Sequence, residues 1–143
     1  DGADAGPLKM AALVDSNVLI DLATLDPVWF KWSRRIVGMT KGKEALVINP
    51  IIFSEFSVRY QSYDEVNVLL NTDEFRREDL PYMAAFAASK AFVAYRKAGG
   101  TKEKPLPDFF IGAHAAVKKL PLLTRDARRY RNYFPSVELI VPA

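Results

Sequence analysis

The chain contains no cysteine and a single histidine, His114. Without thiols there can be no disulfide, no thiolate metal centre and no cysteine nucleophile, and the composition fits a reducing compartment such as the cytoplasm. Long apolar runs are missing too. The longest charge-free stretches, Ala45–Ser54 and Leu80–Ser89, reach 10 residues, far below the ~20 needed to cross a bilayer, so no membrane association is expected. Residues 1–9 have neither the basic start nor the apolar centre of a secretory signal. Met10 reads as a native start, 1–9 as a tag or disordered extension, and 10–143 as a single domain.

What is present is ordinary globular material. Half of the 143 residues are hydrophobic and 26% are charged, enough for one substantial core. The net charge of +3 conceals an uneven distribution. Residues 1–95 carry 10 Lys/Arg against 13 Asp/Glu, whereas residues 96–131 carry 10 against 3. A local excess of +7 suits a polyanionic partner, and equally a solvated basic face.

Apolar runs alternate with helix signals along the whole chain. Strands are expected at Ala11–Val14, Ala45–Ile48, Leu122–Thr124 and Val137–Val141, with a short edge strand at Phe75–Glu78. Between them lie a helix over Val18–Leu25 and a second from Asp26-Pro27 to Met39, broken by Gly42. A third runs from Asn49-Pro50 to Tyr60, and Ser62–Glu65 form a capping box ahead of Val66–Leu70. Pro81 opens a long helix to Lys97 that Gly99-Gly100 stops, and further helices cover Asp108–Lys119 and Ala127–Tyr133. Such alternation implies an α/β fold, a parallel sheet covered by helices on both faces. Ligands in these folds bind beyond the carboxyl ends of the strands.

Four acids, Asp15, Glu55, Asp108 and Asp126, fall on that side, each at or just past the point where an apolar run gives way to a helix. For Asp15, Asp108 and Asp126 the plain alternative is a helix cap. Glu55 differs, because on a 3.6-residue helix Ile51 lies within about 40° and Ile52 within about 60° of it. A carboxylate amid an apolar stripe needs a partner. Arg59, four residues on, would serve, and so would a bound cation. Converging acids repel by roughly 4 kcal/mol per pair ~4 Å apart at an effective dielectric of about 20, so a divalent ion would hold them together. Oxygen-only donors suit Mg²⁺ or Mn²⁺, and such sites serve phosphodiester chemistry. Thr124, at a strand end, can hydrogen-bond a neighbouring carboxylate. Arg125, Arg128 and Arg129 offer forks for phosphate, and Tyr130 a face for an unpaired base, although packing is its commoner role. His114 lies about 120° from Asp108 around its helix and is a poor base or ligand. Asp21 is expected to face solvent or an ion-pair partner.

The segments Val14-Asp15-Ser-Asn-Val-Leu-Ile20, Pro50-Ile-Ile-Phe-Ser-Glu-Phe56, Leu106-Pro-Asp108-Phe-Phe-Ile-Gly112-Ala-His-Ala115 and Leu123-Thr-Arg-Asp126-Ala-Arg-Arg-Tyr130, followed by Phe134-Pro135, together resemble the PIN domain. More closely they resemble the VapC toxins of bacterial toxin–antitoxin pairs. The resemblance implies a three-layer α/β/α sandwich with a central, mainly parallel sheet of four to five strands. It also implies a Mg²⁺- or Mn²⁺-dependent endoribonuclease that cuts tRNA or rRNA and is blocked by a cognate VapB antitoxin. The family's acidic quartet maps onto Asp15, Glu55, Asp108 and Asp126, its polar pair after the first acid onto Ser16 and Asn17, and its strand-end threonine onto Thr124. Asp15, Asp108 and Asp126 would position metal, while Glu55 binds it or orients water. A homodimer is expected from the surplus apolar surface of Trp29, Phe30, Trp32 and the Met83–Phe92 helix. The rival readings are a PIN-fold nuclease acting on other RNA or DNA, an aspartyl-phosphate receiver, and a non-catalytic binding module.

Overall fold

A computed structural model describes residues 10–142; the segment 1–9, read above as a tag or extension, lies outside the described residues. Five strands, β1 (Met10–Val14), β2 (Glu44–Ile48), β3 (Phe75–Arg77), β4 (Leu122–Leu123) and β5 (Leu139–Ile140), form one sheet in the order β3-β2-β1-β4-β5. Every neighbouring pair is parallel. Seven helices flank it: α1 (Ser16–Thr24), α2 (Phe30–Lys43), α3 (Pro50–Ser57), α4 (Tyr63–Leu69), α5 (Tyr82–Lys97), α6 (Pro107–Lys118) and α7 (Arg128–Tyr133). The result is a three-layer α/β/α sandwich.

The central strand shows why the sequence folds this way. Residues 11–14 of β1 are all buried, as a strand with helices over both faces requires. Leu13 sits opposite Val47 on one side and Leu122 on the other. All three are fully buried, each contributing about 1.5–3 kcal/mol of apolar burial. The chain leaves β1 towards β2 and β3, then crosses back through α5 and α6 to β4. Strand order therefore reverses between β1 and β4, the place where a parallel sheet opens a crevice at its carboxyl edge. The ladder continues into that crevice: the Asp15 amide donates to Leu123 O at 2.9 Å and the Thr124 amide to Ile140 O at 3.1 Å.

Three expectations need correction. The second helix begins at Phe30 rather than Pro27, because the Asp26 carboxylate accepts from the amides of Val28 and Trp29 and closes a turn first. Gly42 does not break that helix, which runs on to Lys43. The third helix ends at Ser57 rather than Tyr60. The edge strand and the capping box at Ser62 and Glu65 are present as expected.

Candidate active site

Asp15 occupies the N-cap position of α1, yet its side chain caps nothing. Asp108 stands in the first turn of α6, whose cap is Leu106, and α7 takes Ala127 as its cap; neither uses a side-chain bond. Where this chain does cap a helix it uses Asn49, which accepts from the Ile52 amide, and Ser62. The three aspartates are thus free of the structural duty that would have explained them.

Asp15 is the hub. It is 3% exposed, and its Oδ2 accepts from Thr124 Oγ1 and from the Tyr130 hydroxyl, both at 2.9 Å. Asn17 holds Thr124 in turn, donating to its Oγ1 at 3.2 Å. The Asp126 amide donates to the same oxygen at 3.1 Å. Ser16 Oγ donates to Glu55 Oε1 at 2.7 Å and lies 3.4 Å from Asp15 Oδ1. The Tyr130 hydroxyl also lies 3.5 Å from Asp108 Oδ1. One hydroxyl therefore stands between Asp15 and each of Glu55, Asp108 and the Asp126 backbone.

The acids differ in exposure. Glu55 is half-buried, the Asp108 side chain is 40% exposed and Asp126 is exposed. Glu55 does not pair with Arg59, which lies exposed beyond the end of α3. The nearest cation to Asp108 is Arg129, whose Nε is 3.8 Å from Oδ2. Asp108 and Asp126 line a cavity of about 380 Å³ with Tyr95, Arg129, Asn132 and Tyr133.

Burial dominates the electrostatics. It raises the Asp15 carboxyl to about 6, against the lowering effect of the Thr124 and Tyr130 hydrogen bonds, and the charges of Asp108 and Glu55 add to the rise. Glu55 is raised by burial and then by Asp108. Asp108 is raised by burial, which Arg129 opposes and Asp126 reinforces. Tyr130 is pushed well above the ordinary phenol range by burial and by the surrounding acids, so it remains a hydrogen-bond donor.

Among the described residues, no three acidic or imidazole side chains converge into a finished metal cage. The donors are nonetheless all oxygen, their charge is opposed only by a long ion pair, and three of the carboxyls are raised. That set fits a hard divalent ion that keeps part of its shell as water, as Mg²⁺ does.

One feature of the site was not foreseen, the inward role of Tyr130, and one expectation, an ion-pair partner for Asp21, is met. Tyr130 is 1% exposed, so it does not offer a face to a base; its hydroxyl works inward on Asp15. Asp21 is 1% exposed and Arg125 clasps it with two bonds, Nε to Oδ2 at 2.8 Å and Nη2 to Oδ1 at 3.1 Å. Ser33 Oγ donates to the same carboxylate, and the Arg125 guanidinium stands 5.6 Å from the Trp29 ring centroid. Arg125 is therefore tied into the fold, while Arg128 and Arg129 border the cavity. His114 is fully buried between Asn49 and Glu78, at 2.9 and 3.2 Å.

These features define an α/β/α domain whose first strand ends in a buried acid tied through hydroxyls to two other acids and to the backbone of a third at a topological switch point. The description of the PIN domain family matches residues 12–135, and the chain belongs to that family. PIN domains are generally nucleases. No curated protein matches the sequence. Solved structures do. VapBC2 from Rickettsia felis, bound to a DNA fragment from its promoter, shares 13% identity at a TM-score of 0.72, covering 94% of this chain and 100% of that one. VapBC-1 from nontypeable Haemophilus influenzae shares 17% at 0.70, covering 92% and 98%. A toxin–antitoxin complex from Klebsiella pneumoniae shares 23% at 0.65, also covering 92% and 98%. At these identities the likeness establishes the fold.

Proposed function

We propose that this protein is a metal-dependent endoribonuclease toxin, hydrolysing phosphodiester bonds in tRNA or rRNA in the cytoplasm and neutralised by a VapB-type antitoxin. One observation carries the reading: a buried aspartate, with no capping role, linked through single hydroxyls to the carboxylates of Glu55 and Asp108 and to the Asp126 backbone at the switch point. The likeness of the fold to chains in toxin–antitoxin complexes supports the partner.

Asp15, Asp108 and Asp126 would hold a Mg²⁺ or Mn²⁺ ion. When bound, the ion supplies a lowered pKa for water and neutralises charge on the phosphate. Thr124 and Tyr130 fix the Asp15 carboxylate, and Asn17 fixes Thr124. Glu55, set by Ser16, orients the attacking water and accepts its proton; the raised carboxyl suits that exchange. Water attacks phosphorus in line and the 3′ oxygen leaves, taking a proton from solvent, to give 5′-phosphate and 3′-hydroxyl ends. On α5, Met83, Phe86 and Val93 are exposed and offer an apolar face for a second copy or for the antitoxin.

Matched RNA and DNA oligonucleotides incubated with Mn²⁺ test the reading. RNA is cut to 5′-phosphate ends, EDTA stops the reaction, and Mn²⁺ raises the melting temperature. Asp15→Asn and Asp108→Asn remain folded but do not cut. Full activity of Asp15→Asn would refute the assignment, and preferential cutting of DNA would leave the nuclease but remove the RNA substrate.

A further inference from the structure

Helix α2 carries five basic residues and no acid between Phe30 and Lys43. One face belongs to the fold: Ser33 and Thr40 are buried, and Trp32, Ile36 and Val37 pack against the core. Lys31, Arg34 and Arg35 stand on the opposite face, spread over about 100° of a 3.6-residue helix, and all three are exposed. Lys41 pairs with Glu74. Among the described residues Lys31, Arg34 and Arg35 have neither an ion pair nor a hydrogen bond.

Two glycines lie within the same arc. Gly38 and Gly42 are exposed, and their backbone is helical rather than left-handed. A Cβ at either position would meet no heavy atom within 4 Å. Glycine inside a helix is destabilising relative to alanine, and no contact among the described residues needs either one. Gly38 opens a shallow trough of bare backbone, edged by Phe30, Lys31, Arg34, Arg35 and Met39. Another backbone can approach closely there, between unpaired cations.

The trough is also continuous with the active site. Ser33 Oγ donates to Asp21, Arg125 clasps that acid, and Asp126 is the next residue in the chain. Trp29, just ahead of α2, lines a hollow of about 400 Å³ with Arg125, Asp126, Arg128 and Arg131. A polyanion held at the acids can run over Trp29 and onto α2 without meeting a further acid on that helix.

We infer that the Lys31, Arg34 and Arg35 face of α2 is a docking surface for the sugar–phosphate backbone of an RNA duplex arm, outside the place where the chain is cut. Duplex RNA presents phosphates and 2′-hydroxyls over a wide, shallow groove, and guanidinium forks match phosphate oxygens. The inference rests on the nuclease reading, but binding tests it without cleavage.

The probes are a fluorescent RNA hairpin with a stem of about 16 base pairs, the span of a typical duplex-binding domain, and a single-stranded RNA tetranucleotide. Both are titrated by anisotropy in EDTA. Arg34→Gln combined with Arg35→Gln weakens the hairpin at least about tenfold, lowers the slope of log K against log salt by about 2, and changes the tetranucleotide less than about twofold. Gly38→Gln fills the trough without altering charge. It raises the melting temperature yet weakens the hairpin, opposite signs that a purely structural glycine does not give. Hairpin affinity unchanged in the double variant, an equal loss for both probes, or a Gly38→Gln protein that binds like wild type overturns the docking surface. The face would then fall to an acidic protein helix, which closely spaced glycines also admit. Failure of the nuclease reading would appear separately, as no Mn²⁺-dependent cleavage by wild type.

Discussion

The Tyr130 hydroxyl donates to Asp15 Oδ2 at 2.9 Å, across 115 positions of sequence. With Thr124 it compensates part of the cost of burying that carboxylate. Tyr130→Phe keeps the ring packed and removes only the donor. The Asp15 carboxyl then rises above its present value of about 6, because a bond that favours the charged form is gone. Above that pH the variant is less stable by about 1.5–3 kcal/mol, the range for hydrogen bonds to charged groups. At pH 4.5, where Asp15 is protonated in both proteins, the gap narrows. Urea denaturation at the two pH values measures this, and an equal deficit at both would show that the hydroxyl does not act on the ionised acid.

Asp15 itself makes the metal-free fold less stable as it ionises. Its carboxyl is raised from 3.8 to about 6, so between those values the folded state binds more protons than the unfolded one. Stability from this group is present at low pH and is lost as pH rises through about 6, a change of about 3 kcal/mol at most. Asp15→Asn removes the charge. In EDTA at pH 7.5 the variant is expected to melt above wild type, with the advantage shrinking as pH falls and gone below the unfolded value of 3.8. A wild type that is the more stable at pH 7.5 would mean that the buried carboxylate is well compensated.

Arg125 and Asp21 form a closed pair across α1 and the β4–α7 connection. Asp21 is 1% exposed, so deleting its partner strands a buried charge, which costs about 3–5 kcal/mol. Arg125→Ala is expected to be at the lower end, since the arginine is 30% exposed. Arg128→Ala, exposed and outside the pair, should stay within about 0.5 kcal/mol. Asp21→Asn combined with Arg125→Ala should cost less than the sum of the single changes. Strict additivity in that cycle would show that the two side chains are independent.

Much of this was legible in the sequence, for local reasons. Val14 and Leu123 lie in runs too apolar to be anything but buried strands, and Pro81 marks a helix start whatever surrounds it. The four acids could be picked out because each follows such a run. What was hidden depends on partners far along the chain. Nothing around Tyr130 reveals Asp15, and nothing around Asp21 reveals Arg125, 104 positions away. Locally, the Asp26-Pro27 pair reads as cap and first turn, yet Asp26 also satisfies two amides within a turn, and that bonding delays α2 to Phe30. Gly42 does not stop α2, because the helix propensity of one residue is a weak preference that tertiary context overrides.

Gly112 ties helix packing to the site. It lies in α6, where a Cβ would overlap the Phe134 ring and stand 3.0 Å from Tyr130 Cδ1. The missing side chain lets α7 and Phe134 close against α6, and that approach sets the depth at which the Tyr130 hydroxyl meets Asp15. Alanine favours a helix over glycine by about 1 kcal/mol, so propensity alone predicts that Gly112→Ala stabilises. Overpacking a filled contact costs about 1–3 kcal/mol, and both rings are buried, with little room to yield. The variant is therefore expected to lose up to about 2 kcal/mol, and any cleavage should fall together with the Asp15–Tyr130 contact. Monitoring that contact by the Tyr130 hydroxyl proton resonance separates the two effects. A stabilised Gly112→Ala with the resonance unchanged would show that α7 adjusts freely and that the close approach is incidental.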